Sequence, residues 1–148
     1  MADPNPPAAP KSVLFACNLN RVRSPIAAAL LHRAHGRRLI VDSCGLIAAE
    51  GIDPFAWAVM AEIGVDLTDH APKTFKDLEA AHFDLIISLT PEAHRHVQER
   101  YRGTDVTLEC WEIEDPTGGE GSREQRLDAY RTVREALTKR LAIRFSTP

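Results

Sequence analysis

No apolar run in the chain approaches the length of a membrane span, and the N-terminus carries no secretory apolar segment. Neither a spanning helix nor export is therefore expected. Cysteine is scarce: three residues, an odd number without disulfide-like spacing, argue against a disulfide-stapled scaffold and fit a reducing cytoplasm. An excess of charge of one sign is also missing. A formal net charge of −3 over 148 residues gives no reason to expect nucleic acid or an anionic membrane as partner. His94 and His96 stand two apart on a helical stretch, hence on different faces, so a metal pair is not expected. No other motif calls for a cofactor. Internal repeats are lacking, and nothing marks a second domain. Residues 1–11, with four prolines among small residues, read as a disordered leader, and residues 12–148 as a single domain.

What is present alternates. Short apolar runs at Ser12–Ala16, Leu39–Val41, Phe83–Leu89 and Val106–Trp111 read as strands. Helical stretches fall at Ser24–His35, Asp53–Ile63, Phe75–Ala81, Pro91–Tyr101 and Ser122–Ile143. Ser24 is expected to cap its helix with Pro25 at the first helical position, and Trp57 and Trp111 are assigned to the core. Cys44 and Cys110 are read as buried small hydrophobes. Strands alternating with helices imply an α/β three-layer sandwich, a four-stranded parallel sheet with helices on both faces. Ligands in such sheets sit at the carboxyl ends of the strands.

At that edge stands Cys17-Asn18-Leu19-Asn20-Arg21-Val22-Arg23-Ser24, between the first strand and the first helix. A loop so placed turns backbone N–H groups toward one point, and the helix dipole adds positive charge there. Such a cradle binds a tetrahedral oxyanion, with Arg23 gripping two of its oxygens as a planar fork. The same field favours a thiolate at Cys17. A given cysteine meets an Arg-Ser or Arg-Thr pair at this spacing by composition alone roughly once in a hundred, before strand and helix context is required. A nucleophile beneath a bound phosphate reads as a phosphatase site. Transfer to a thiolate also needs an acid for the leaving group. Asp115, in Glu114-Asp115-Pro116-Thr117-Gly118-Gly119, follows the fourth strand on the same edge. Asp-Pro with glycines is equally ordinary turn chemistry, and Glu112, Glu114 and Asp53 remain competitors, Asp53 reading better as a helix cap. Asn20 could brace the loop through its side chain, and Ser24 could donate to the Cys17 sulfur. His70 by itself reads as a surface histidine.

Taken together, the Cys-x5-Arg-Ser loop and the late Asp-Pro make the chain resemble the low-molecular-weight protein tyrosine phosphatases. It is also similar to the arsenate reductases that share their fold. Val13-Leu14-Phe15, Asp42-Ser43, the Gly64 to His70 segment and Phe83-Asp84-Leu85-Ile86 fall where that pattern has similar residues. The resemblance implies Cys17 as nucleophile, Arg23 as phosphate clamp and Asp115 as general acid, with Cys17 to Ser24 as the phosphate-binding loop. It further implies that Asn20, Ser24, Ser43 and His70 brace that loop. The expected reaction is hydrolysis of a phosphate monoester, on a phosphorylated protein or a small ester, through a phosphocysteine. Arsenate reduction with external thiols, or a weakly catalytic phosphate-binding module, are the alternatives.

The chain departs from the family pattern at several positions. Leu19 stands where the family usually has Gly, which predicts backbone strain if φ is positive there. Val22 replaces a second cysteine, and Arg21 replaces an apolar residue and is expected to favour a more anionic ligand. Thr117-Gly118-Gly119 stands where aromatic residues often follow the acid. Leu89-Thr90-Pro91-Glu92-Ala93-His94 lacks the cysteines of a thioredoxin-coupled relay.

Overall fold

The computed structural model describes residues 9–78 and 82–146. Its elements are β1 (Ser12–Cys17), α1 (Arg23–His35), β2 (Ile40–Gly45), α2 (Pro54–Ala61), β3 (Leu85–Ser88), α3 (Pro91–Arg100), β4 (Thr107–Cys110) and α4 (Arg123–Arg144), with a 3₁₀ turn at Phe75–Leu78. All strand pairs are parallel and the order is β2-β1-β3-β4. β1 and β3 lie inside the sheet and are covered on both faces, so their residues are apolar without alternation. Val13, Phe15, Cys17, Leu85 and Ile87 join the core under α1, α2 and α4. Leu14, Ala16, Cys44 and Ile86 join the smaller core under α3. This is the expected three-layer α/β architecture.

The chain leaves β1 for β2 on one side, and β3 later enters on the other side of β1. The carboxyl end of β1, which is Cys17, is therefore the point where strand order reverses and a crevice opens. No helix among the described residues is long and apolar enough to cross a membrane.

Several local expectations need correction. The N-cap of α1 is Val22 with no side-chain cap bond, and Pro25 is the third helical residue. The Ser24 hydroxyl is engaged elsewhere, and Pro25 costs nothing in a first turn whose N–H groups have no helical partner. β2 extends to Gly45, because Asp42 and Ser43, polar enough to suggest a loop, complete the ladder with Leu14 and Phe15. The helix expected over Phe75–Ala81 is a 3₁₀ turn at Phe75–Leu78, and its remaining residues lie outside the described ones. Trp57 is 42% exposed on α2, its indole N–H donating to Thr68 and Asp66, whereas Trp111 is buried against Phe15. Cys110 is half-buried at the end of β4. Of the expected leader, residues 1–8 lie outside the described residues. Lys11 is held by its N–H donating to Asp84 and its carbonyl accepting from Ile40.

Candidate active site

The loop after β1 is shaped by where its carbonyls go. Those of Cys17, Asn18, Leu19 and Arg21 accept from the backbone N–H groups of Leu46, Ile47, Ala49 and Asp53. The Asn20 carbonyl accepts from His70 Nε2 at 2.9 Å, and the Val22 carbonyl from Ile26 N. Six consecutive carbonyls thus point away from the crevice. Among the described residues the amides of Asn18 to Arg23 donate to no protein group. Unpaired amides converging at a helix N-terminus form an anion-binding nest.

Asn20 is the hub of this loop. It is fully buried and holds φ at 54°, the positive value that Asn tolerates better than most residues. Its Nδ2 donates to Ser24 Oγ and Ser43 Oγ at 2.9 Å each, and its Oδ1 accepts from Lys73 N. The strained seat is therefore Asn20 rather than Leu19, whose φ is not positive. Gly45 permits the arrangement, since a Cβ there would lie 2.7 Å from Asn20 N and 2.9 Å from Leu19 C. A carbonyl oxygen can only accept, so His70 Nε2 carries the proton. Burial lowers the pKa of His70 below the usual histidine value, against the opposing pull of the Asn20 carbonyl.

Cys17 ends β1 and is 2% exposed. Its Sγ lies 2.9 Å from Ser24 Oγ. With Asn20 donating to that hydroxyl, the Ser24 hydrogen is left for the sulfur, the other acceptor in range being the Cys44 carbonyl at 3.4 Å. Arg23 is anchored by Nη1 donating to the Ile113 carbonyl at 2.9 Å. Its Nη2 lies 3.9 Å from Asp115 Oδ2. The loop carrying Asp115 is itself tied to the end of β3 and the residue after it, through Trp111 N to Ser88 O and Ile113 N to Leu89 O. Cys17, Asn18, Leu19, Arg21, Val22, Arg23, Asp115 and Thr117 line one cavity of about 270 Å³. Glu112 and Glu114 do not line it. Asp53 caps α2, accepting from Phe55 N and Ala56 N.

Burial pushes the Asp115 carboxyl toward protonation. The hydroxyl and N–H of Thr117, with the Arg23 guanidinium, outweigh that and hold its pKa below the usual carboxylate range. The supporting roles of Thr117, Gly45, the Ile113 carbonyl and Thr90, whose hydroxyl donates to Asn18 Oδ1, do not follow from the sequence reading. A threonine two residues after an aspartate is the one local signal among these, an Asx-type turn. The second thiol nearest in register, Cys44, lies across the sheet from Cys17, one in each core.

A thiol under a ring of free amides, a guanidinium beside it and a carboxyl across the cavity can bind a tetrahedral oxyanion and pass it to sulfur. The model of the low molecular weight phosphotyrosine protein phosphatase family matches residues 12–145. A glutaredoxin arsenate reductase of Synechocystis is 30% identical over 131 residues, covering 88% of this chain and 93% of that protein. A protein-arginine-phosphatase of Geobacillus stearothermophilus is 31% identical, covering 93% and 98%. Among solved structures, the Erwinia amylovora tyrosine phosphatase AmsI superposes with a TM-score of 0.75 at 25% identity, covering 97% and 98%. The chain belongs to the low molecular weight phosphotyrosine protein phosphatase family.

Proposed function

We propose that the protein is a cysteine-dependent phosphatase of the cytoplasm, acting on phosphate monoesters of a phosphorylated protein or a small molecule. The observation that carries this reading is the loop of outward carbonyls, which leaves the amides of Asn18 to Arg23 without a partner among the described residues, above Cys17. In the first step the Cys17 thiolate attacks phosphorus, an S–P bond forms and the ester P–O bond breaks. Arg23 and the loop amides hold the equatorial oxygens, and Asp115 gives its proton to the departing oxygen. In the second step Asp115 takes a proton from water, whose oxygen attacks phosphorus and releases Cys17 and inorganic phosphate. The Ser24 hydroxyl, aimed at the sulfur, stabilises the leaving thiolate.

Asp115 must be protonated to serve as the acid, and in the free protein its carboxyl is held ionised. A bound phosphate dianion engages Arg23 and sets negative charge beside Asp115, and both effects raise its affinity for a proton. Asn20, Ser43 and His70 act as positioning residues for the loop, and residues 12–148 work as one domain.

The likeness to a glutaredoxin arsenate reductase motivates a second reading, arsenate reduction. Arsenate would fit the same cradle, but Cys44 lies across the sheet from Cys17, so the reducing thiols would have to come from outside. The deciding experiment is steady-state hydrolysis of an aryl phosphate from acid to neutral pH. Cys17→Ser is expected to abolish turnover, and Asp115→Asn to lower it about 10²–10⁴-fold and flatten the basic limb. Near wild-type turnover in Cys17→Ser would sink the phosphatase reading. Bound phosphate or vanadate without hydrolysis by the wild type would favour a phosphate-binding module.

A further inference from the structure

Two arginines line the catalytic cavity, and among the described residues only one donates a hydrogen bond to the protein. Arg23 donates to the Ile113 carbonyl. Arg21 donates no hydrogen bond among the described residues, although its side chain is only 38% exposed. Its nearest carboxylate, Asp53, is 3.6 Å away and already accepts from Phe55 N, Ala56 N and the Tyr130 hydroxyl. Asp53 thus steadies Arg21 without using up its donors. Cys17, Asn18, Leu19, Val22, Asp115 and Thr117 complete the wall, and among the described residues no aromatic ring lines it against which a phenyl leaving group could stack. A guanidinium with free donors, half-shielded from water, binds an anion more strongly than an exposed one.

We propose that Arg21 forms a second anion subsite in this cavity, so that the preferred substrate is a phosphate monoester whose leaving group carries a further phosphate or carboxylate. This deepens the phosphatase reading and rests on it. The scissile phosphate occupies the loop amides and Arg23, and the second anion meets the Arg21 fork. The same charge repels a leaving group that is itself a guanidinium. Phosphoarginine, the chemistry named for one relative, is therefore disfavoured here.

The test uses matched pairs that differ only in the second anion. The 2-, 3- and 4-carboxyphenyl phosphates are compared with their carboxamide counterparts. Propane-1,3-diyl bisphosphate is compared with 3-hydroxypropyl phosphate, and the two sets distinguish carboxylate from phosphate. The wild type is expected to favour the anionic member of at least one pair by about 10- to 100-fold in kcat/KM, the worth of one charge-assisted hydrogen-bonded contact. The preference should shrink with added salt. Arg21→Gln should bring the ratio close to one, with Arg21→Lys in between. Ratios near one in every wild-type pair, or a preference that survives Arg21→Gln, would overturn the subsite. Calorimetric binding of the same pairs to the wild type at low temperature keeps the two readings apart. If nothing is hydrolysed, the phosphatase reading fails, while the ratio of Kd values still decides the fate of Arg21.

Discussion

Arginine is used in opposite ways at two places in this molecule. On the flank where α4 meets α2, Arg131 binds Glu62, Glu124 and Asp128, and Arg134 binds Glu62, Glu135 and the Val59 carbonyl. Every nitrogen of these two guanidiniums has an oxygen partner. In the loop after β1, Arg21 has no hydrogen-bond partner among the described residues, and Arg23 has one carbonyl plus a distant carboxylate. The loop also carries the one positive-φ residue among the described ones that is not glycine, buried Asn20. Charge that is fully paired at a wet surface contributes modestly to stability. Charge whose hydrogen-bond donors are left largely unused in a shielded cavity is held ready for a ligand, and the surrounding structure must bear its cost. The sharpest way to break this contrast is Arg23→Lys, which keeps the charge and removes the fork. It is expected to lower kcat/KM by about 10²–10³-fold with little change in Tm. Retention of activity within tenfold would mean that the fork is not what the loop preserves.

Asn20 sharpens the contrast from the other side, because there the structural cost is concentrated. Asn20→Ala strands the Ser43 hydroxyl and the Lys73 N–H and takes one of the Ser24 hydroxyl's partners, all at or near buried positions. A loss of about 1–3 kcal/mol in denaturant unfolding is expected, together with reduced turnover. Unchanged stability would show that the loop holds itself without its hub.

How far the sequence reveals this design depends on the range of each interaction. The cradle itself is local: Cys17, Arg23 and the strand before them are contiguous, and so their spacing is readable. The strand–helix alternation is local too. Ser24 misleads because a serine before Pro25 satisfies the cap signal, while its hydroxyl is claimed by Cys17 and Asn20 through folding of the loop. Leu19 misleads because a missing glycine suggests strain at its own position, whereas the turn is taken one residue later by Asn20. Gly45, the Ile113 carbonyl and the free state of Arg21 are invisible in the sequence. Each is defined by a segment distant in the chain, up to 90 residues away for Arg23 and Ile113.

Thr117 gives a prediction of intermediate size. Its hydroxyl and N–H both donate to Asp115 Oδ1, favouring the ionised carboxyl. Thr117→Ala removes the hydroxyl bond, so the Asp115 pKa rises and more of the acid is protonated at a given pH. The basic limb of kcat/KM should move to higher pH, with the acid limb unmoved. A limb that stays in place would assign it to a group other than Asp115.

The smallest effect belongs to the saturated flank. Hydrogen bonds from Arg131 and then Arg134 lower the Glu62 pKa from 4.5 to about 2. A depressed carboxylate adds stability that is complete above its unfolded value, near 4.5, and is lost as pH falls toward the folded one. Glu62 is 37% exposed, so water and salt screen most of what that shift implies. Glu62→Gln is expected to cost less than about 1 kcal/mol at neutral pH. The mutant should lose less Tm than the wild type between neutral and strongly acid pH, and its turnover should match the wild type. If Glu62→Gln instead lowered kcat/KM substantially, paired surface charge on α2 and α4 would be coupled to the cradle through Asp53 and Tyr130. The division between charge used for holding the fold and charge kept for binding would then not follow the boundary drawn between these two regions.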